Sequence, residues 1–267
     1  MTRISFLGPK GTFTHEAANI VGDELIPYCT IPAVMESVKN GDCSLGVVPI
    51  ENSIEGPVGI TLDSLAHKYD LKIFKEIIIP INQNLIVNPG TKLEDIKDVY
   101  SHSQAISQCQ EFISENKIQP HYAVSTARAA KSIIGDKSKA AIGNSKVVDL
   151  YGLEILRSNI QDTDNNETRF VVLSKKSHEM TGNDKTSIIF SIFEDRPGQL
   201  YHILGIFERE NINLTKIESR PSKKGLGKYL FFVDFNGHKD ESVVQNILKE
   251  IEENTYFLKV LGSYPEF

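Results

Sequence analysis

The chain has 267 residues and a formal net charge of −6 at pH 7, and 40% of its residues are hydrophobic, as in soluble globular proteins. Because one hydrophobic core rarely serves more than about 250–300 residues, we expect two or three cores. The three cysteines, Cys29, Cys43 and Cys109, form no CxxC pair, which argues against a disulfide scaffold, a zinc ribbon or a dithiol redox site. A reducing, cytoplasmic location is expected.

Charge and hydropathy argue against two classes of partner. Lysine and arginine are scattered, so the basic surface typical of nucleic-acid-binding proteins is missing. No apolar run approaches the roughly 20 residues that cross a bilayer, and the first predicted strand begins a few residues from the N-terminus. We expect no nucleic acid, no membrane and no export.

Strand and helix patterns alternate over the first two-thirds of the chain. Apolar runs predict strands at residues 3–7, 43–49, 71–79, 84–87, 98–101, 121–124, 140–143 and 169–173. Apolar residues at three- and four-residue spacing predict helices at residues 13–21, 31–40, 59–68, 104–116, 126–134 and 146–151. This alternation predicts an α/β fold with a mostly parallel sheet flanked by helices.

This pattern fits either one large sheet or two lobes that face a cleft. We favour two lobes, because the extended stretch at residues 77–87 contains Pro80 and Asn82, where the chain can pass to a second lobe. The strand at residues 169–173 can then return the chain to the first lobe.

A second domain follows a change of composition. Residues 175–185 show no periodicity and are interpreted as a linker. The pattern then predicts a strand at 186–194, a turn at 195–198, a helix at 199–210, strands at 213–220 and 229–235, a helix at 241–254 and a strand at 256–262. This βαββαβ order predicts a ferredoxin-like sandwich. Because such a domain leaves a sheet face or an edge exposed, we expect it to pair with a second copy.

Several kinds of site are disfavoured by spacing. The histidines stand apart from other metal-ligating residues, so no metal site is expected. The turn at Gly8-Pro9-Lys10-Gly11-Thr12 lacks the P-loop pattern, and no GxGxxG follows the first strand. No serine lies in a GxSxG elbow, and no cysteine has an obvious base partner.

Polar side chains cluster where the predicted strands end. Any one of them is explained as an ordinary helix N-cap. In α/β sheets, however, ligands bind at the carboxyl ends of strands, where helix N-termini and neutral donors suit a small carboxylate. The nearest cations by sequence are Lys10 and Arg169. The polar side chains at the predicted strand ends are those of Thr12, Thr14, Glu51, Asn52, Ser53, Ser101, Gln104, Gln108, Ser125, Thr126 and Thr168.

Six short motifs along the chain can be compared with known families; they lie at residues 8–14, 48–56, 101–105 with 108–109, 125–127, 166–170 and 213–221. In their sequence and order these motifs resemble those of the monofunctional prephenate dehydratases with a C-terminal ACT regulatory domain. The resemblance covers nearly the whole chain. Two positions depart from the family pattern: Ser103 stands for the usual proline, and Gln199 for the alanine of the ACT motif Gly-Ala-Leu.

The resemblance implies a periplasmic-binding-protein-like catalytic domain at residues 1–178, with lobe 1 at about 1–79 and 155–178 and lobe 2 at about 80–154. An ACT domain is implied at residues 186–264. The implied activity is the cofactor-free conversion of prephenate to phenylpyruvate, with loss of water and carbon dioxide, in L-phenylalanine biosynthesis.

The resemblance also implies roles for individual residues. Thr168 would donate a hydrogen bond to the departing hydroxide, and Glu51 would be either an acid with a raised pKa or a structural cap of its loop. The residues implied or expected to contact substrate are Thr12, Asn52, Ser53, Ser101, Gln108, Thr126, Arg169 and Phe170.

For the second domain, the resemblance implies that L-phenylalanine binds between paired ACT domains as a feedback inhibitor. The chain would form a homodimer or a homotetramer. The effector contacts implied are Gly198, Gln199, Leu200, Asn211, Leu214, Glu218, Ser219 and Arg220.

Two other functions stay open at this point. An arogenate dehydratase performs the same elimination on the aminated substrate. A non-catalytic solute-binding or amino-acid-sensing protein also has two α/β lobes around a polar cleft.

Overall fold

The computed structural model describes residues 2–193, 196–223 and 228–266. Within these ranges the chain forms three β-sheets, two in the N-terminal part and one in the C-terminal part. No helix in the described ranges has the length and apolar character needed to span a bilayer.

The first lobe begins with alternating strands and helices. Thr12 and Thr30 begin two of its helices, because their side-chain oxygens accept hydrogen bonds from the backbone N–H groups of His15 (3.3 Å) and Ala33 (3.2 Å). The elements are β1 (Ile4–Leu7), α1 (Phe13–Val21), β2 (Leu25–Tyr28), α2 (Ile31–Asn40), β3 (Leu45–Asn52), β4 (Gly56–Pro57), α3 (Gly59–His67) and β5 (Lys72–Pro80).

The second lobe follows a short crossing at residues 81–83. Its elements are β6 (Asn84–Val87), β7 (Asp98–Ser101), α4 (Ser103–Ser107), α5 (Gln110–Glu115), β8 (Gln119–Tyr122), α6 (Thr126–Ser132), β9 (Lys139–Gly143), α7 (Lys146–Tyr151) and β10 (Glu154–Arg157). The strands pair in the order β10-β6-β9-β7-β8, and a 3₁₀ turn lies at Leu93–Asp95.

The chain then crosses back at residues 158–166 and enters the first sheet as β11 (Glu167–Ser174). The sheet order is β2-β1-β3-β11-β5, with β4 paired to β3, and β11 runs antiparallel to both of its neighbours. In this register Thr168 lies opposite Asn52, and Arg169 lies opposite Glu51. The two-lobed arrangement is therefore confirmed.

Several details differ from the predicted elements. The sheets are mixed rather than mostly parallel, since a strand returning from the other lobe enters the first sheet antiparallel. The strands β2 and β10 were not predicted; β2 contains Pro27 and lies at a sheet edge, where proline is tolerated. Because β10 pairs with β6, the second lobe extends a few residues beyond the expected boundary near residue 154.

The predicted helix at residues 104–116 is broken into α4 and α5. The break has a long-range cause, because the carboxylate of Asp162 accepts hydrogen bonds from the backbone N–H groups of Gln110 (2.8 Å) and Glu111 (3.1 Å). The backbone N–H of Asp162 in turn donates to Gln108 O (2.7 Å). Gln108 is thus held at the end of α4 instead of inside a continuous helix.

The C-terminal part has the predicted βαββαβ order. Its elements are β12 (Asp184–Ser191), α8 (Gln199–Arg209), β13 (Leu214–Pro221), β14 (Tyr229–Asn236), α9 (Ser242–Asn254) and β15 (Phe257–Pro265). The strands pair antiparallel in the order β13-β14-β12-β15, and a buried cluster that includes Phe190, Phe207 and Phe235 lies between the sheet and its helices. Glu194 and Asp195, at the end of the predicted strand and the start of the predicted turn, lie outside the described residues.

The C-terminal sheet packs directly on the first lobe. One buried apolar cluster contains Leu71 and Ile73 of the first lobe together with Phe232, Leu261 and Tyr264 of the C-terminal sheet. At Gly262 the two backbones approach so closely that an added Cβ atom would lie 2.3 Å from Ile73 O. The two parts therefore share a hydrophobic core. The division at residues 178 and 186 is kept as a proposal.

Candidate active site

A cleft of about 650 Å³ lies between the two lobes. Both lobes contribute to its wall, and the crossing segments contribute Ile81 and Gln83. Six of the predicted site residues line the cleft: Thr12, Asn52, Gln108, Thr126, Thr168 and Phe170.

Thr168 and Asn52 are in direct contact at one wall of this cleft. Asn52 Nδ2 donates a hydrogen bond of 2.9 Å to Thr168 Oγ1, across the β3–β11 pairing. Asn52 is 6% exposed and Thr168 is partly buried. The hydroxyl hydrogen of Thr168 has no acceptor among the residues that the structure describes, so it is free to meet a ligand.

Gln108 reaches the cleft from the second lobe. Its Oε1 atom accepts hydrogen bonds from Asn166 Nδ2 (3.1 Å) and Gln83 Nε2 (3.2 Å). Its Nε2 atom is buried and has no partner within the described ranges. A buried donor without a partner is costly, so this N–H group is suited to a ligand oxygen.

Asn166 belongs to this network but was not predicted as a site residue. It is 4% exposed, and its Oδ1 atom accepts a hydrogen bond of 2.7 Å from Asn52 Nδ2. One signal for it was present in the sequence, because Asn166, Thr168 and Phe170 alternate along the end of a strand and would share a face.

The turn after β1 forms another part of the wall. Thr12 caps α1 and donates to Pro9 O (3.0 Å), while Gly11 N donates to His15 Nδ1 (3.2 Å). Burial lowers the pKa of His15, and the charge of Lys10 lowers it further. The ring is therefore held in the neutral form that can accept this bond.

Two exposed cations line the cleft from opposite lobes. Lys10 lies in the turn before α1, and Arg128 lies on α6 next to Thr126. Neither has a carboxylate partner in the described part of the chain. Arg128 was missed in the sequence because a lone exposed arginine on a helix carries no distinguishing signal. Together the two cations favour an anionic ligand.

Two of the predicted contacts do not line the cleft. Ser53 Oγ accepts a hydrogen bond from Glu167 N (2.9 Å) and donates to Asn165 O (3.3 Å). Ser101 is fully buried and donates to Ile142 O (2.6 Å). Both hydroxyls hold neighbouring strands together, which corrects their expected place in the substrate site.

Glu51 and Arg169 also lie elsewhere, on the opposite face of the first sheet. Because side chains alternate along a strand, the residues next to Asn52 and Thr168 point away from the cleft. Glu51 Oε2 lies 2.6 Å from Lys216 Nζ of β13. Of the two roles expected for Glu51, this position favours the structural one.

Arg169 lies at the interface with the C-terminal sheet. Its guanidinium donates to Glu76 Oε2 (2.7 Å), Asp234 Oδ2 (2.6 Å) and Tyr264 Oη (2.8 Å). Burial alone would lower the pKa of Arg169, but Asp234, Tyr264 and Glu76 raise it above its ordinary value. The side chain is committed to this network, which corrects its expected contact with substrate.

The predicted effector contacts fall into separate places within one chain. Gly198, Gln199 and Leu200 lie at the start of α8, whereas Asn211 follows its end, and α8 has 11 residues, so it is about 16 Å long. Leu214, Glu218, Ser219 and Arg220 lie on β13, and Arg220 donates to Asp63 of α3 (3.1 Å).

The buried thiol of Cys109 is unreactive, and the residues that the structure describes contain no metal cluster. Burial raises the pKa of the Cys109 thiol to about 12, and the nearby Asp162 acts in the same direction, so the thiol stays protonated. Within the described residues, no group of three or more histidine, cysteine, aspartate or glutamate side chains is placed to hold a metal ion.

Comparison with known proteins matches this arrangement to one family. The prephenate dehydratase family model matches residues 4–178, and the ACT domain model matches residues 186–253. The prephenate dehydratase of Methanocaldococcus jannaschii is 45% identical, over 97% of this chain and 96% of that protein. The prephenate dehydratase of Bacillus subtilis is 34% identical, over 99% of this chain and 99% of that protein.

A solved structure extends the match to three dimensions. The crystal structure of prephenate dehydratase from Arthrobacter aurescens in complex with L-Phe superposes with a TM-score of 0.89 at 35% sequence identity, over 99% of this chain and 90% of that chain. The chain is an enzyme of the prephenate dehydratase family, in which a two-lobed catalytic domain is followed by an ACT domain.

Proposed function

We propose that this chain catalyses the decarboxylating dehydration of prephenate in L-phenylalanine biosynthesis, which makes it a carbon–oxygen lyase. Prephenate and one proton give phenylpyruvate, carbon dioxide and water. The electrons of the breaking bond to the ring carboxylate enter the ring as the C–O bond breaks, and aromatisation drives the reaction. The protein must stabilise the departing hydroxide and position the substrate.

The observation that carries this proposal is the Thr168 hydroxyl, whose hydrogen is uncommitted at the wall of the interlobe cleft. A threonine hydroxyl is too weakly acidic to give up its proton unaided. Its hydrogen bond to the leaving oxygen instead strengthens as negative charge develops there, so its effect is greatest in the transition state.

Charge and hydrogen-bond donors in the cleft suit the two carboxylates of prephenate. Lys10 and Arg128 supply positive charge from opposite lobes, and Gln108 Nε2 supplies a donor that no residue in the described ranges satisfies. Thr126 offers a hydroxyl group, and Phe170 offers an apolar surface to the ring. Thr12, whose hydroxyl donates to Pro9 O, would keep the turn after β1 in place beside the substrate. Glu51, Ser53, Ser101 and Arg169 would support the site from behind its wall.

The test is incubation of the purified protein with prephenate, with phenylpyruvate formation followed by absorbance. Arogenate is assayed side by side, and the ratio of the two kcat/KM values assigns the substrate. We expect prephenate to be preferred. A protein that binds prephenate without product formation would instead be the solute-binding alternative.

We also propose that L-phenylalanine inhibits the enzyme by binding between paired ACT domains. The contacts at the two ends of α8 lie too far apart for one small amino acid, so a second copy would complete each site. The related A. aurescens enzyme was solved with L-Phe, which supports this effector class. Exposed Tyr201 and Ile217, which are 81% and 47% exposed, provide apolar surface for pairing in a homodimer or homotetramer.

The regulatory proposal is tested by initial rates with increasing L-phenylalanine and with D-phenylalanine as a control. Only the L-enantiomer should inhibit. Light scattering on the same samples gives the oligomeric state, and a monomer that is fully inhibited would contradict the paired site.

A further inference from the structure

Backbone N–H groups of the protein occupy both hydrogen-bond acceptor positions of the Asn52 amide oxygen. An amide oxygen has two acceptor positions. Asn52 Oδ1 accepts hydrogen bonds from the backbone N–H groups of Ile54 (3.0 Å) and Glu55 (2.9 Å). Because backbone N–H groups can only donate, these two contacts establish which end of the amide is oxygen and which is nitrogen.

The donor side of Asn52 is used as well. Its Nδ2 atom carries two hydrogens and lies within hydrogen-bond distance of Asn166 Oδ1 (2.7 Å), Thr168 Oγ1 (2.9 Å) and Glu167 O (3.0 Å). Asn52 therefore has no hydrogen-bonding capacity left for substrate, although it lines the cleft.

The orientation of Asn52 determines the direction of the bond to Thr168. Since Asn52 presents its N–H group, Thr168 Oγ1 must act as acceptor. The hydroxyl hydrogen of Thr168 is then directed to another partner, and no described residue supplies one. Asn166 completes the arrangement, because its Oδ1 atom holds the same amide nitrogen in place.

We propose that Asn52 and Asn166 are positioning residues that keep Thr168 as a hydrogen-bond donor to the leaving hydroxyl, instead of substrate-binding residues. This rests on the function proposed above. The expected signature is an effect on kcat with little effect on KM, because neither amide contacts the substrate.

The decisive variant is Asn52→Asp. One carboxylate oxygen can still accept from Ile54 and Glu55, but the other replaces the N–H group with an acceptor. Thr168 would then donate its hydrogen to this carboxylate and lose it for the reaction. We expect kcat at pH 8 to fall about a hundredfold, within the range typical of a lost proton donor, and KM to change by less than about threefold.

The same variant should recover activity at lower pH. A buried carboxylate surrounded by acceptors has a raised pKa, and once protonated it can donate to Thr168 again. We expect kcat of Asn52→Asp to rise as the pH falls from 8 to 5.5, relative to wild type and after subtraction of the uncatalysed reaction. A residue that only maintains the fold would show no such recovery.

Two further variants test Asn166 with a matched control. Asn166→Leu removes the acceptor that holds Asn52 and should lower kcat about tenfold, whereas Asn166→Asp keeps an acceptor and should lose less. Asn165→Asp adds the same charge one residue away on an exposed side chain, and should behave as wild type.

Each other outcome contradicts the inference. A large rise in KM for Asn52→Asp with unchanged kcat would mean that Asn52 binds substrate, and a loss of folding or of kcat at every pH would assign it a structural role. A wild-type enzyme that forms no phenylpyruvate would refute the proposed function itself, independently of these variants.

Discussion

Arg169 Nη1 lies 2.6 Å from Asp234 Oδ2, across the interface between the catalytic sheet and the ACT sheet. Both side chains are mostly buried, at 12% and 8% exposure. Arg169 is the next residue to Thr168 on β11, so one strand contacts the cleft with one residue and the ACT domain with the next. A rearrangement of the ACT sheet would therefore reach Thr168, the donor proposed above, through this pair.

We expect Asp234→Asn to weaken inhibition by L-phenylalanine. The half-inhibitory concentration should rise about tenfold, within the range of typical allosteric coupling energies, while uninhibited kcat stays within about threefold. The melting temperature should fall, because removing one partner of a buried ion pair is destabilising. The control is Arg209→Met, which breaks the exposed Arg209–Glu250 pair on the ACT helices. Unchanged inhibition in Asp234→Asn would contradict the coupling.

Thr168→Ala should lose most of its turnover and keep its fold. We expect kcat to fall about 10²- to 10⁴-fold, as for loss of a proton-donating group, and Thr168→Ser to retain more activity because the hydroxyl remains. Glu51→Gln is the matched comparison, since Glu51 lies beside Asn52 but on the other face and pairs with Lys216. Its kcat should change much less. Steady-state kinetics on the three variants measures these changes in kcat. A near-normal kcat in Thr168→Ala would reject the donor role of Thr168.

Gly262→Ala should separate or distort the two packed sheets. An added methyl group would meet the backbone of Ile73 at 2.3 Å, and backbone cannot move aside as a flexible side chain can. We expect a loss of about 1–3 kcal/mol in unfolding free energy, as in overpacked cores. Denaturant-induced unfolding curves of the variant and the wild type measure this loss of unfolding free energy. Gly205→Ala in α8, where the nearest atom would be 3.9 Å away, should leave stability unchanged or raise it; equal stability of both variants would contradict the close approach.

Acid should destabilise the turn that carries Thr12. The pKa of His15 is lowered below its ordinary value of 6.5 in the folded protein, mainly by burial. As the pH falls below 6.5 the unfolded chain takes up a proton before the folded chain does, so stability declines. Thermal melts between pH 7.5 and 5.5 should show a smaller decline for His15→Gln than for wild type. The exposed His67→Gln should follow wild type, and equal slopes for all three proteins would refute the prediction.

The amino-acid sequence by itself determined most of the order of elements and indicated the family. Apolar periodicity and local caps act between near neighbours, so helices such as α1 and α2 begin and end where their sequences predict. Eight of the eleven polar residues identified at predicted strand ends line the cleft. The motif order from residue 8 to residue 221 then indicated the family.

Only the tertiary structure decided which face of the first sheet each residue occupies. Thr168 and Arg169 are neighbours in sequence and both carry hydrogen-bonding side chains, but one lines the cleft and the other pairs with Asp234. The same holds for Asn52 and Glu51. The break between α4 and α5 depends on Asp162, about 50 residues further along the chain. These choices depend on contacts between distant segments, which alternation and spacing along a single strand cannot encode.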